Sequence, residues 1–201
     1  ATEGVRFTSF YAPAPNCSYF INWTKLAFDN VDVIAGQGTM GLEILEQTPG
    51  VDAIVIPVGG GGLIAGIGTA VKAKRPEVEI VGVEPERAAC LTAALAQDGP
   101  TTIELSHTLA DGLAVGKLGD APFPIVKRVV DQVVTVDEAS IALAILRLIE
   151  LEKSVVEGAG AAPLAAFLAG RLDALTGRKV VLALCGGNID TAALGRIIEV
   201  G

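Results

Sequence analysis

Four consecutive glycines, Gly59 to Gly62, stand between an apolar run of β-formers, Ala53-Ile54-Val55-Ile56-Pro57-Val58, and an amphipathic stretch that opens at Leu63-Ile64-Ala65. A strand so uniformly apolar is buried on both faces, which belongs to a parallel sheet covered by helices. Glycine has no Cβ, so several backbone N–H groups can turn inward together and approach a ligand closely. The helix behind them adds the positive end of its dipole. Strand, glycine loop and helix in this order hold phosphate, so the chain reads as a binder of a phosphorylated cofactor.

Regular punctuation surrounds that loop. A short apolar run at 31–35 is followed by Gly36-Gln37-Gly38, and Thr39 is expected to cap a helix over 40–47. The helix after the glycines ends near Lys74-Arg75, with Pro76 as its breaker. A second strand is expected over 79–83, a helix over 88–96, a glycine-rich loop over 111–123 and a short helix over 125–130. A third strand over 132–136 leads into a helix capped by Asp137 and running to Lys153. Gly158-Ala159-Gly160 reads as a break before a helix over 161–175. A fourth strand over 179–184 ends in Cys185-Gly186-Gly187-Asn188. Strands alternating with helices predict an α/β fold, a mostly parallel sheet flanked by helices on both faces. One domain is expected over residues 28–201, preceded by an atypical Pro- and aromatic-rich segment over 1–27.

The composition narrows the partners. Net charge is −8 and no Lys/Arg run occurs, which points away from nucleic acid and anionic membranes. Apolar segments are interrupted by charge or glycine, so no membrane span is expected. Cys17, Cys90 and Cys185 lie far apart and are odd in number, which fits a reducing, cytoplasmic setting better than a disulfide framework. Without a CxxC spacing and with one histidine, His107, no zinc site is expected. The glycine loop itself leaves two cofactors open. Gly60-x-Gly62-x-x-Ala65 satisfies a dinucleotide fingerprint, with Glu84 at a distance suited to a ribose hydroxyl. The other candidate is pyridoxal phosphate.

An ordered series separates them. Val33-Ile34-Ala35-Gly36-Gln37-Gly38-Thr39, Pro57 through Leu63, Val81-Gly82-Val83-Glu84-Pro85, Ala110-Asp111-Gly112, Glu157-Gly158-Ala159-Gly160-Ala161 and Leu184 through Asp190 follow one another. Over about residues 28–190 this series resembles the serine/threonine dehydratases and serine racemases of the fold-type II pyridoxal-phosphate enzymes. The resemblance implies the large lobe of such an enzyme, with pyridoxal 5'-phosphate as cofactor and a small amino acid as substrate. It implies that Gly59, Gly60, Gly61, Gly62 and Leu63 form the phosphate loop. Gly112 and Glu157 are implied to lie near the cofactor ring, and Gln37-Gly38-Thr39 in the segment joining the lobes. Cys185, with Gly186 and Asn188 beside it, is implied to face the pyridine nitrogen. A thiol is a weak, uncharged partner for that nitrogen. The ring is then a mild electron sink, which favours β-elimination of a hydroxy amino acid to a 2-oxo acid and ammonia.

The same resemblance implies elements that this sequence does not carry. The family's cofactor-bonding lysine, in a Ser-Phe-Lys-type motif, and its Ser-x-Gly-Asn-His motif are not found. The expectation is an N-terminally truncated dehydratase-like chain whose catalytic residues are unknown. Lys25 and Lys117 are expected not to replace the lysine. An exposed apolar surface is expected where the small lobe would sit, hence a homo-oligomer. Some relatives place a divalent ion on a Glu-Pro glutamate and an aspartate six residues on. Here that position is Cys90, so no metal site is expected, and Glu84 and Glu86 are read as surface acids. Two alternatives remain: a non-catalytic cofactor- or partner-binding remnant, and an NAD(P)-binding oxidoreductase domain.

Overall fold

A computed structural model describes residues 28–200. The expectations for residues 1–27, Cys17 and Lys25 among them, lie outside the described residues.

Four strands form one sheet: β1 Ala53–Pro57, β2 Glu79–Pro85, β3 Gln132–Val136 and β4 Val180–Leu182. All pair in parallel, in the order β3-β2-β1-β4. Val55 stands opposite Val81 on one side and Leu182 on the other. Seven helices accompany the sheet among the described residues: α1 Val31–Gln47, α2 Gly62–Lys74, α3 Cys90–Ala96, α4 Pro122–Val129, α5 Glu138–Glu152, α6 Gly158–Leu168 and α7 Thr191–Val200.

Strand periodicity sorts the core into two halves. Ile54, Ile56 and Ile80 point to one face, where they meet Ile34, Ile44, Ile64, Ile67 and Leu91 of the α1–α4 layer. Val55, Val81 and Val83 point to the other, against Ile141, Ile145, Leu148 and Ala162 of the α5–α6 layer. Every residue of β1 is buried, as a central strand between two helical layers requires. Each fully buried Ile or Val contributes roughly 1.5–3 kcal/mol.

The helix boundaries differ from expectation where glycines were read as breaks. α1 starts at Val31, not at Met40, and its cap is Asn30. The Asn30 side chain accepts from Asp32 N at 2.8 Å and Val33 N at 3.3 Å. Gln37, Gly38 and Thr39 therefore lie inside this helix, and Thr39 does not cap it. The glycines are tolerated there because α1 packs against α2 at backbone range. A Cβ on Gly38 would lie 3.1 Å from the Gly66 carbonyl oxygen, and one on Gly66 only 2.3 Å from that of Ile34. The same reason explains α6. It begins at Gly158, where a Cβ would lie 2.1 Å from the Leu109 carbonyl oxygen, and at Gly160 a Cβ would lie 2.4 Å from that of Cys185. α6 ends at Leu168, short of residue 175, and Asp173–Leu175 is a separate 3₁₀ turn. β2 runs on through Glu84 to Pro85, which places Glu84 inside the sheet. By contrast β3 and the Asp137-capped α5 stand where expected, with Asp137 accepting from Ser140 N at 2.7 Å.

Candidate functional site

β1 lies between β2 and β4, and the chain leaves these strands in different layers. The connection from β1 to β2 is α2, on one face, while α5 and α6 join β3 to β4 on the other. The crevice outside the carboxyl ends of β1 and β4 is therefore a topological switch point, where open α/β sheets receive ligands. A cavity of about 310 Å³ opens there. Gly59, Gly60, Gly61, Gly62 and Leu63 line it from the β1 side, Cys185 from the β4 side, and Gly112 and Glu157 between them. The two corners separated most widely in sequence thus share one pocket.

The glycine loop presents donors. None of the backbone N–H groups from Gly59 to Ile64 has an acceptor among the described residues. The first N–H groups of any helix are orphaned, and here the loop before α2 adds its own. Gly61 has φ +91°, the left-handed region that glycine occupies without strain, and its Cβ would lie 2.8 Å from Leu118 Cδ1. A run of free N–H groups at a helix start is an anion cradle.

The opposite wall is held by Glu157. Its Oε2 accepts from Asn188 N at 2.8 Å, and its own N–H donates to the Gly186 carbonyl at 3.2 Å. Gly186 has φ +97°, and a Cβ there would meet Glu157 Oε1 at 2.3 Å. A Cβ on Gly112 would lie 3.0 Å from the Ala159 Cβ and 3.3 Å from Glu157 Oε1. This clamp presents Cys185 to the cavity as a free, half-buried thiol. Burial, and then the nearby Glu157 carboxylate, push the Cys185 thiol above its ordinary range. It is uncharged at neutral pH. Gly186 and Asn188 stand behind this wall. Asn188 borders a second cavity of about 220 Å³, shared with His107, Asp111 and Arg196.

Glu84 is not a surface acid. It is fully buried, and its Oε1 accepts from Leu91 N at 2.6 Å. Its Oε2 accepts from Thr92 N at 2.9 Å and Thr92 Oγ1 at 2.7 Å. The carboxylate is thereby turned into α3 and cannot meet a ribose at the glycine loop, which removes the acidic partner that the dinucleotide reading needs. Burial raises the Glu84 pKa, and the bonds from Leu91 and Thr92 oppose that rise. Glu86 is exposed, as expected, with an oxygen 3.8 Å from Arg171. His107 is exposed in a loop, and its carbonyl accepts from Arg87 Nη1 at 2.6 Å. Lys117 pairs with Asp120 at 3.0 Å. Among the described residues no lysine lines the 310 Å³ cavity.

Pro57, Ile64 and Ala159 also line the cavity, as do Phe28, Val33, Gln37, Leu113 and Val115, which were not foreseen as site residues. The Phe28 ring lies over Gly60, where a Cβ would come within 2.1 Å of it. Reading Asn30 as the helix cap would have placed Val33 and Gln37 one turn apart beside the loop. The site as built presents free backbone donors at one end and an uncharged thiol at the other, with Phe28, Leu113 and Val115 in the lining.

Comparison with known proteins agrees with this chemistry. The family model described as pyridoxal-phosphate dependent enzyme matches residues 12–186. An L-threonine ammonia-lyase of Thermotoga maritima is 49% identical over 174 residues, covering 87% of this chain and 43% of that protein. The processed threonine deaminase isoform 2 of Solanum lycopersicum superposes with a TM-score of 0.82 at 35% identity, over 87% of this chain and 51% of that one. A serine racemase of Dictyostelium discoideum superposes with a TM-score of 0.75 at 37% identity, over 81% and 52%. The chain spans about half the length of the curated relatives it matches.

Proposed function

The chain belongs to the pyridoxal-phosphate dependent enzyme family, with the fold-type II dehydratases and racemases, and from that premise we propose that it supplies the cofactor-holding lobe of a serine/threonine dehydratase. The reaction is removal of the β-hydroxyl and amino groups of a hydroxy amino acid, leaving a 2-oxo acid and ammonia. The single observation that carries this reading is the shared cavity, with the glycine cradle at one end and the Cys185 thiol at the other. The name of the Thermotoga relative favours threonine as the substrate.

The residues present fit pyridoxal phosphate. The free N–H groups from Gly59 to Leu63 suit a phosphate dianion, and the positive end of α2 adds to their pull. When bound, the cofactor supplies the electron sink that acidifies the substrate Cα–H. Cys185 would meet the ring nitrogen as a neutral partner and would not fix a proton there. Glu157 keeps the Cys185–Asn188 turn closed through its two backbone bonds. Gly112 lets Ala159 and Glu157 approach the cavity wall, and Phe28, Leu113 and Val115 would shield a bound ring from water. These residues bind, orient and dry the site. The base that moves the Cα proton is not among the cavity-lining described residues, and the reading assigns it to a group contributed from outside them.

We further assign the chain to a homo-oligomer in the cytoplasm. Val31, Leu151, Val155 and Ile198 are each more than half exposed, which supports an apolar interface. Among the described residues no helix is long and apolar enough to cross a membrane.

Titration with pyridoxal phosphate, followed by absorbance and by fluorescence of the bound cofactor, tests the reading. Saturable binding is expected. Borohydride treatment and peptide mass spectrometry then name any lysine bonded to the cofactor. Cofactor that is saturably bound yet dialyses away after borohydride supports the binding-only remnant. No saturable binding refutes the assignment.

A further inference from the structure

The glycine loop is oriented from behind. Each of its first three carbonyl groups is engaged by a donor from a residue that does not line the cavity. The Cys90 thiol donates to the Gly59 carbonyl at 3.2 Å, Gly119 N to that of Gly60 at 3.1 Å, and Ala65 N to that of Gly61 at 3.0 Å. A trans peptide is planar, and its C=O points opposite to the N–H of the next residue. All described peptides are trans. With the Gly59 carbonyl held by Cys90, the Gly60 N–H is directed the opposite way; it has no acceptor among the described residues, and Gly60 lines the cavity. Two of the three donors are backbone groups supplied by the fold itself. The third is a side chain.

That side chain is itself placed by a buried carboxyl group. Cys90 is the first residue of α3, and Glu84 binds the next two residues through Leu91 N, Thr92 N and Thr92 Oγ1. Glu84 and Cys90 are both fully buried, so water does not compete for the thiol–carbonyl bond; the Glu84 carboxyl also lies beside the thiol, but it already accepts from Leu91 N, Thr92 N and Thr92 Oγ1. Glycines at 59–62 give the loop no side-chain contacts of their own to set its peptide planes. An outside tether is the physical means of setting them.

We propose that Cys90 is a positioning residue, held by Glu84, that fixes the Gly59–Gly60 peptide so that its N–H meets the cofactor phosphate. The proposal rests on the cofactor assignment above for its ligand, and on the loop geometry alone for its structural half. Burial, and then the Glu84 carboxylate, push the Cys90 thiol up to about 12, so it remains a protonated donor throughout the physiological range.

The test compares Cys90→Ala and Cys90→Ser with the unaltered chain in three measurements. These are pyridoxal phosphate affinity, the ³¹P chemical shift of the bound phosphate, and amide hydrogen exchange of the peptide spanning 58–64. Loss of one oriented donor to an anion is expected to weaken binding about tenfold in Cys90→Ala. The ³¹P signal should shift, and exchange in the loop should quicken with the rest of the sheet unchanged. Cys90→Ser keeps a donor and should restore all three. Unaltered affinity and loop exchange in Cys90→Ala overturn the proposal and leave the cofactor assignment standing. Failure of serine to restore the loop overturns it in favour of packing alone. If the unaltered chain does not bind the cofactor, the functional assignment fails, and the loop-exchange comparison still decides the structural half.

Discussion

At the scale of single residues, charge state follows from placement. Cys185 faces the cavity, yet burial and the Glu157 carboxylate hold its thiol above the usual range. The thiolate is the reactive form. Alkylation of Cys185 by iodoacetamide at pH 8 should therefore be slower than that of a free cysteine and should accelerate as pH rises beyond the ordinary thiol range. Bound pyridoxal phosphate should block it. Peptide mass spectrometry over a pH series reads both effects, and rapid alkylation at pH 7 would contradict them. Glu84 carries the opposite lesson about sequence reading. A glutamate before a proline, followed by another acid, reads as a strand-end surface pair. Its burial depends on donors seven and eight residues away, Leu91 and Thr92, which turn back only because α3 forms. Nothing in the spacing of acids reveals that.

At the scale of elements, two glycines in one pair of helices should answer a methyl group with opposite signs. Gly36 has no neighbour within 4 Å of an added Cβ, so Gly36→Ala should stabilise by about 0.5–1 kcal/mol through helix propensity. Gly66→Ala places its Cβ 2.3 Å from the Ile34 carbonyl oxygen, and overpacking should cost about 1–3 kcal/mol. Urea denaturation of the two variants separates them, and equal effects would show that the α1–α2 seam yields. The same seam explains what the sequence did and did not disclose. β3 and α5 were legible because β-branched residues, a capping Asp137 and a 3.6-residue pattern agreed with one another. The glycine loop was legible because four glycines between a strand and a helix have few other uses. The first nine residues of α1 and the first turn of α6 were obscured because Gly36, Gly38, Gly158 and Gly160 oppose helix locally. At Gly38, Gly158 and Gly160 that cost is repaid by close packing with residues distant in sequence. Phe28, Val33 and Gln37 were lost from the predicted site along with that helix start.

At the scale of the whole molecule, two core layers sandwich a parallel sheet, and the residual apolar surface lies outside it. Val31 and Leu151 are each 66% exposed. Light scattering coupled to size exclusion should give a mass above the 20.5 kDa of one chain, and a monomer at micromolar concentration would remove the proposed self-association. The strand order has a further meaning for the life of the chain. Among the described residues β4 is an edge strand of three residues, paired to β1 alone, and it carries Cys185 to its place. During synthesis the glycine loop leaves the ribosome before β4, and the pocket gains its second wall only when β4 has followed. A ligand held from both ends of this pocket therefore reports that β4 has joined the sheet.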